Sequence, residues 1–316
     1  MRACIRCFDG AEYELPAVLE WKFSYGLGAP CDAFELTCVW DPGAEKAMAA
    51  ATRFWATEAG ERVFTGIVDE YRCVRDESGS RLEVSGRGMQ GLLLDNETLP
   101  VEYQKATLKD IVRSHVAPYG IETVGGDERS VVKGFVAASG QSEWSVLRGF
   151  VSGHHGVVPY FDRMGRLILS GWEDREQVLV DNASVITRLA YGEKRYGVFS
   201  QVVVRDRSKG TTTTVQDEAF LKQGGMCRRV LSVSENSASS SLRDTGEYQL
   251  RASCAERVCC EMTVAGLFCA FPGQLVKVER SGFGGNGIYR VAEAVTGVNE
   301  QGAYTELVLR ETDLLV

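Results

Sequence analysis

Two stretches of the chain, one near residue 70 and one near the C-terminal end, spell the same three-strand meander. The first runs from Arg62 to Gly88 as RVFTGIVDEYRCV, DESGS and RLEVSGRG; the second runs from Gly273 to Arg310 as GQLVKVE, RSGFGGNG, IYRVAEAVTGV, NEQGA and YTELVLR. Apolar residues alternate along each: Phe64, Gly66 and Val68, then Leu82, Val84 and Gly86; later Tyr289, Val291 and Ala294, then Leu307 and Leu309. A period of two is the mark of a half-buried strand, so both stretches predict antiparallel strands joined by Gly-bearing turns. Two similar all-β modules separated by a block of another type point to a duplicated barrel used for assembly rather than to a catalytic cleft.

A chain of 316 residues is long for one core, and two or three domains are expected. No apolar run approaches the length that spans a bilayer, and MRACIRCFDG lacks the apolar centre of an export signal, so the expectation is synthesis in the cytoplasm without membrane insertion. Ten cysteines in such a compartment are expected to remain thiols. Cys4 and Cys7 form a CxxC, but inside the strand ACIRCF, where positions three apart face opposite sides. The adjacent Cys259 and Cys260 lack further Cys or His at ligand spacing. Small buried apolar side chains are the simpler reading of both pairs.

The formal net charge of −8 is unevenly spread: residues 1–95 carry 10 Lys and Arg against 16 Asp and Glu, while residues 191–316 carry 15 of each. An acidic chain lacks the basic footprint of specific nucleic-acid binding, and DNA meeting it would slide past rather than be held.

Three segments follow. Residues 1–95 read as a first tube-like β-barrel, with CDAFELTCVW as a strand, a short helical turn at DPGAEKAM, and a hairpin about EAGE. Residues 96–190 read as a smaller α+β domain. Thr107 and Asp110 begin a helix that Pro118 and Gly120 stop, a second helix from Ser142 ends at Gly153, and a hairpin turns at Arg163 to Gly165. Residues 191–316 read as a second tube-like barrel with an inserted loop and helix. Its strand pair about VFSQVVVRDRSKGTTTTVQD is followed by a Ser-rich loop over 232–241, then by a helix from Thr245 on which Leu250, Cys254 and Val258 step by four. The expected fold class is therefore mainly β within α+β, two antiparallel barrels flanking the middle domain.

The search for chemistry is short. His154 and His155 precede Gly156, with Asp162 close by, yet neighbouring residues project apart and no HxxxH, HxH or HExxH spacing accompanies them. At the end of a helix the macrodipole alone favours histidine. His115 lies on the apolar stripe of its helix as a core-edge residue. GFGGNG, residues 282–287, joins two strands and so lacks the helix N-terminus a phosphate cradle needs. No catalytic residue, metal ligand or cofactor is assigned, and the chain is not read as an enzyme.

In chain order, DAFELTCVW, the hairpin ending in VFTGIVDEY, RLEVSGRGMQGLLLD, TLKDIV, EWSVLRGF leading into YFDRMGRLIL, PGQLVKV, GIYRVAEAVTGV and YTELVLR resemble the baseplate hub proteins of contractile phage tails and phage-derived bacteriocins, the late-control-D-like family. That resemblance implies a structural homotrimer in which each chain gives two barrels, adapting a six-fold tail tube to a three-fold spike around an axial channel. The implied partners are a second and third copy of the chain, the tail tube protein, the central spike protein and other baseplate proteins. Some members carry a peptidoglycan-cleaving domain; with the sequence given ending directly after the last barrel strand, none is expected. The competing readings are a peptidoglycan hydrolase at the tail tip, using carboxylates or the His154, His155 and Asp162 neighbourhood, and a carbohydrate binder using Trp55 and Trp172. The turn tips are the candidate interface: Glu58, Gly60 and Glu61 in one hairpin, Ser281, Gly284, Gly285 and Asn286 in the other. The acidic excess of residues 1–95 is expected to line the channel and repel DNA within about 8 Å, the Debye length at physiological salt.

Overall fold

The computed structural model describes all of the chain except residues 27–30, 78, 127–130, 156, 172–173, 175–176, 207–209, 234–241, 256, 269 and 313–316. The chain forms two compact units, Met1–Glu173 with Gly266–Cys269 and Ala294–Thr305, and Asp174–Ala265 with Ala270–Glu293 and Glu306–Val316. Strands dominate both.

The first unit opens with β1 (Arg2–Cys7), β2 (Glu12–Glu14), β3 (Val18–Gly26), β4 (Ala33–Val39), helix α1 (Pro42–Met48), β5 (Ala51–Glu58), β6 (Glu61–Asp76), β7 (Gly79–Gly88) and helix α2 (Gly91–Asp95). The strands run in the order β3-β4-β7-β6-β5-β1-β2, every neighbour antiparallel. Asp41 caps α1 by accepting from Ala44 N, and Pro42 fills the first turn, where a missing N–H costs nothing. Strands lie about 4.8 Å apart in a sheet, so β4 and β5, three steps apart, would be separated by about 14 Å if it were flat. The rings of Phe34 on β4 and Phe54 on β5 instead stack with centroids 3.8 Å apart, and Phe23 on β3 lies 5.2 Å from Phe64 on β6. The sheet is thus rolled around four buried phenylalanines.

The alternation expected along β6 holds to Gly66 and then breaks, because Ile67 is buried as well. The cause is a shift of register against β7 between Val68 and Glu70, a bulge that sharpens the local twist. Arg87 pins this point, its guanidinium donating to both oxygens of Asp69 (2.7 and 2.9 Å) and to both of Asp95 (2.8 and 2.6 Å). Asp32, just before β4, has a carboxyl that accepts from Gly26 N at 3.1 Å and is pushed up to about 7 by burial. An unfolded Asp titrates near about 4, so the native chain holds the extra proton between those values and its stability falls as pH rises from 4 to 7. Asp32→Asn, which keeps the amide oxygen as acceptor, should flatten that fall in thermal melts taken from pH 5 to pH 8.

Helices appear in the remainder of this unit: β8 (Val101–Thr107), α3 (Leu108–His115), a 3-10 turn (Ala117–Tyr119), β9 (Thr123–Val124), β10 (Val131–Ala137), α4 (Glu143–His155), β11 (Tyr160–Phe161) and β12 (Leu167–Ile168). The expected capping box is present, with Thr107 Oγ1 accepting from Asp110 N and Asp110 accepting from Thr107 N. Gly120, at φ 68°, ends the 3-10 turn in the left-handed conformation. Leu108 and Ile111 of α3, Leu147, Phe150 and Val151 of α4, and Leu167 form one buried cluster with Ile67, Met89 and Leu93. The second helix does not end at Gly153 but continues to His155, since the contacts of Phe150 and Val151 hold this face and one interior glycine costs only about 1 kcal/mol.

The second unit holds β13 (Gln177–Val180), β14 (Ile186–Glu193), β15 (Gln201–Asp206), β16 (Thr212–Gln216), α5 (Glu218–Lys222), β17 (Arg228–Val233), α6 (Leu242–Cys254), β18 (Val258–Ala265), β19 (Leu275–Val278), β20 (Gly287–Asn299) and β21 (Gly302–Arg310), the last two giving their turn end to the first unit. A small sheet β16-β15-β17 packs Val202 and Val204 against Leu250 of α6. Val258, expected on that helix, instead begins β18. The Ser-rich stretch divides between β17 and residues 234–241, which lie outside the described residues. The remaining strands run β14-β18-β21-β20-β19-β13.

That order repeats the first unit's β3-β4-β7-β6-β5-β1 position by position, the last pair being parallel here and antiparallel there. The stretch Arg62–Gly88 forms two strands, β6 and β7, rather than the expected three, the chain between Arg62 and Asp76 staying in one long strand; Gly273–Arg310 forms β19-β20-β21, in which Tyr289, Val291, Ala294, Leu307 and Leu309 are all buried. The chain is mainly β within α+β as expected, but among the described strands no barrel closes: β2 ends one order and β14 the other. Within the first unit, the outer edge of β3 is covered by the turn end of β20, where Gly297 comes so close that a Cβ would lie 2.6 Å from Trp21 O.

Candidate functional site

The duplicated strand order leaves two unlike edges. β5 pairs with β6 only from Glu61 to Ile67, whereas β7 follows β6 to Asp76, so from Asp69 onward no described strand runs along the other side of β6. This extension is exposed, and Arg75 stiffens it by stacking 4.6 Å from the ring of Trp40. In the second unit β14 pairs with β18 alone. β14 holds the place that β3 holds in the first unit, yet β3 has the turn end of β20 on its outer side and β14 has no described strand there. An open edge presents a row of backbone N–H and C=O groups ready to pair with another chain.

Glu58, Gly60 and Glu61 come together at the β5–β6 turn, where Ala59 (φ 49°) and Gly60 (φ 85°) are both left-handed, the two-residue hairpin loop expected of EAGE. Glu58 binds the N-terminal ammonium of Met1 at 3.0 Å, and Glu61 lies 3.7 Å from Arg163. Ser281, Gly284, Gly285 and Asn286 share the loop between β19 and β20. Asn286 closes it, accepting from Arg280 N and donating to Arg280 O, both at 2.7 Å, while Ser281 N donates to Asn182 Oδ1 at 3.0 Å. This second tip is a tied loop rather than a loose hairpin end.

The residues of the hydrolase reading do not form a set. Asp162 holds its own turn, accepting from Met164 N, Arg166 N and the Arg166 guanidinium at 2.7 to 3.0 Å. His154 packs on Phe150 and Phe135, and burial, then His155, holds its imidazole below the ordinary value. Among the described residues no group of His, Cys, Asp and Glu could hold a metal ion, and no helix is long and apolar enough to cross a membrane. Cys4 and Cys7 are both buried free thiols; the register shift after Arg6 turns Cys7 inward beside Ala47 O. Trp172 lies outside the described residues.

One polar cluster was not anticipated. His115 and Glu143, both buried, meet at 2.6 Å through Nδ1 and Oε2; the Tyr119 hydroxyl donates to Glu143 Oε1 at 3.3 Å, and the Tyr103 hydroxyl lies 2.9 Å from His115 Nε2. The cluster ties α3 to the first turn of α4, where the helix dipole favours a carboxylate. Glu143→Ala removes the acceptor shared by the buried His115 and the half-buried Tyr119 hydroxyl, leaving His115 Nδ1 only Thr98 Oγ1 at 3.4 Å, and should cost about 1–3 kcal/mol in urea unfolding, while Glu143→Gln, which keeps an acceptor, should cost less. Only the pairing of a histidine on one apolar stripe with a glutamate opening the next helix could have signalled it.

No protein-family model matches the sequence, and no curated protein matches it. Solved structures do match in fold. A tail protein from Neisseria meningitidis MC58 has a TM-score of 0.79 at 18% identity, over 98% of this chain and 96% of that one. The 43 kDa tail protein of prophage MuSo2 from Shewanella oneidensis gives 0.78 at 18% identity, over 99% of each chain. The E. coli c3393 protein, a type VI secretion component with structural similarity to the T4 tail proteins gp27 and gp5, gives 0.57 at 9% identity, over 93% of this chain and 73% of that one. The chain therefore has the fold of phage tail proteins.

Proposed function

We propose that the chain is a structural baseplate hub of a contractile tail or injection particle, a homotrimer that adapts a six-fold tail tube to a three-fold spike around an axial channel. One observation carries this reading: the same strand order occurs twice, with one junction edge already covered inside the chain and its counterpart open. If β14 of one copy takes the free side of β6 in the next, as β3 takes β20, each junction repeats and a cyclic trimer offers six similar modules. Residues 1–95, and residues 191–316 together with β13 and β14, would then complete two tube-like barrels per chain, with the rest of residues 96–190 decorating the ring. The fold shared with phage tail proteins supports the same reading. The tail tube and spike proteins are the partners it requires, and the tips at Glu58, Gly60, Glu61, Ser281, Gly284, Gly285 and Asn286 are proposed to touch them.

Native mass measurement of the chain, alone and with its spike, tests this. Three-fold assembly is the expected result, and a chain that stays monomeric beside its spike would overturn the proposal.

A further inference from the structure

A cavity of about 790 Å³ in the first unit lies over the outer face of β1, β5 and β6, with β2 beside it and Gly120, Glu122 and the Met164–Arg166 turn opposite. Half-buried Trp55 forms part of its floor; it alternates with the buried Phe54 and Ala56 and so points out of the rolled sheet. Two contacts fix the walls. Arg53 donates to Tyr119 O at 3.3 Å, and Gly165 packs so closely that a Cβ there would lie 2.8 Å from Met89 Cγ and 2.9 Å from Thr65 Cγ2. A preformed hollow of this volume falls within the range of small-molecule sites, about 300–1,000 Å³.

Although the chain as a whole is acidic, the lining carries five arginines against three glutamates. Three of the arginines are answered: Arg2 by Glu14, Arg6 by Glu12 and Arg166 by Asp162. Arg53 and Arg62 have no carboxylate within ion-pair distance among the described residues. Arg62 donates to Thr65 Oγ1 at 3.2 Å, and its buried Nε has no partner. Glu12 attracts Arg62 from farther off, but its carboxylate is already bonded to Arg6. Arg6 and Arg53 lie directly opposite each other on β1 and β5, a cross-strand pairing of like charges that destabilises a sheet. Burial, then Arg6, lowers the Arg53 pKa, and burial lowers that of Arg62. The Arg62 and Arg6 guanidinium groups stand 5.4 and 5.9 Å from the Trp55 ring centroid, so the excess positive charge gathers around one indole.

A ligand that fits must answer all of these groups at once. An anionic group offsets the surplus of arginine, whose paired N–H donors match carboxylate and phosphate. Hydroxyls, each both donor and acceptor, serve the carboxylates of Glu12, Glu14 and Glu122 as well as the guanidinium groups. A C–H face lies on the indole. An apolar or aromatic acid would meet the arginines but cover the glutamates without giving them donors, which is costly. We propose that this cavity binds a sugar carrying a carboxylate or phosphate, its ring against Trp55 and its anionic group on Arg62. The inference goes beyond the hub reading and does not rest on it: the cavity lies within one unit of one chain, so binding and trimer formation succeed or fail separately.

Titration calorimetry of the whole chain at physiological salt tests this, with trigalacturonate as the carboxylate-bearing probe and glucose 6-phosphate as the phosphate-bearing one. Maltotriose, which is uncharged, and inorganic phosphate, which has no ring, are the controls. At least one acidic sugar is expected to bind saturably and about tenfold more tightly than either control, and the tighter of the two identifies the anionic group. Arg62→Gln should weaken that binding about tenfold, the loss of one charge-assisted hydrogen bond, and should melt near the parent temperature because it removes a poorly compensated charge. Trp55→Ala should weaken binding as well; should one variant fail to fold, the other decides. No saturation at millimolar acidic sugar, equal binding of maltotriose, equally tight inorganic phosphate, which would mean an adventitious ion only, or a folded variant that binds like the parent would each overturn the proposal.

Discussion

Gly86→Val is expected to unfold the first unit or to cost about 3 kcal/mol or more in urea unfolding, at the upper end of what overpacking a core does. A Cβ at position 86 would lie 2.0 Å from Ile67 O, 2.6 Å from a Phe34 ring carbon and 3.1 Å from Asp69 N. Two of these three atoms are backbone and cannot rotate away. The ring cannot retreat either, since Phe34 is stacked on Phe54 at 3.8 Å. Nor can β6 withdraw, because its bulge faces Gly86 and is fixed by Arg87 on Asp69. Gly66 answers Gly86 across the same crossing, with a Cβ there 2.0 Å from Arg87 O. Gly86→Ala already carries that first carbon and should itself be clearly destabilised; an alanine variant within about 0.5 kcal/mol of the parent, the range of neutral surface changes, would show that the crossing is slack.

The second large effect concerns assembly. In an antiparallel pair, successive residues direct their N–H and C=O alternately toward the partner and away from it. Tyr71 and Arg72 are adjacent on the β6 extension, opposite Val84 and Glu83 of β7, so one of the two has its N–H on the open side. Proline removes a single donor and is tolerated at a sheet edge. Of Tyr71→Pro and Arg72→Pro, one should therefore disrupt the β6–β7 ladder and lower the melting temperature. The other should melt near the parent temperature and yet, if the proposed trimer forms through this edge, leave the chain monomeric where the parent assembles. Native mass and thermal melting on both variants decide this, and trimers from both would rule out the β6 edge as the subunit junction.

The meanders were legible because period-two burial is local: Leu82, Val84, Gly86 and Gly88 alternate inward along β7 with no help from the rest of the chain. The capping box at Thr107 and Asp110, the Pro42 helix start and the Ala59–Gly60 turn were legible for the same reason, each being settled within four residues. Reading failed where a local preference met a packed neighbour. Gly153 did not stop α4, Val258 left the helical spacing for a strand, and Ile67 turned inward beside Gly66 at the bulge. The arginine cavity went unread for a different reason. Arg6, Arg53 and Arg62 belong to three strands, and each alone is an ordinary outward-facing residue.

The sequence by itself determined the mainly β class and the position of most strands, since propensity, alternation and turn chemistry act between residues a few positions apart. Only the tertiary structure decided the order β3-β4-β7-β6-β5-β1, its repetition in β14-β18-β21-β20-β19-β13, and which edges were left open. Those outcomes depend on pairings between segments far apart in the chain, where many registers satisfy the same alternation and the burial of particular side chains, Phe23, Phe34, Phe54 and Phe64 foremost, selects one of them.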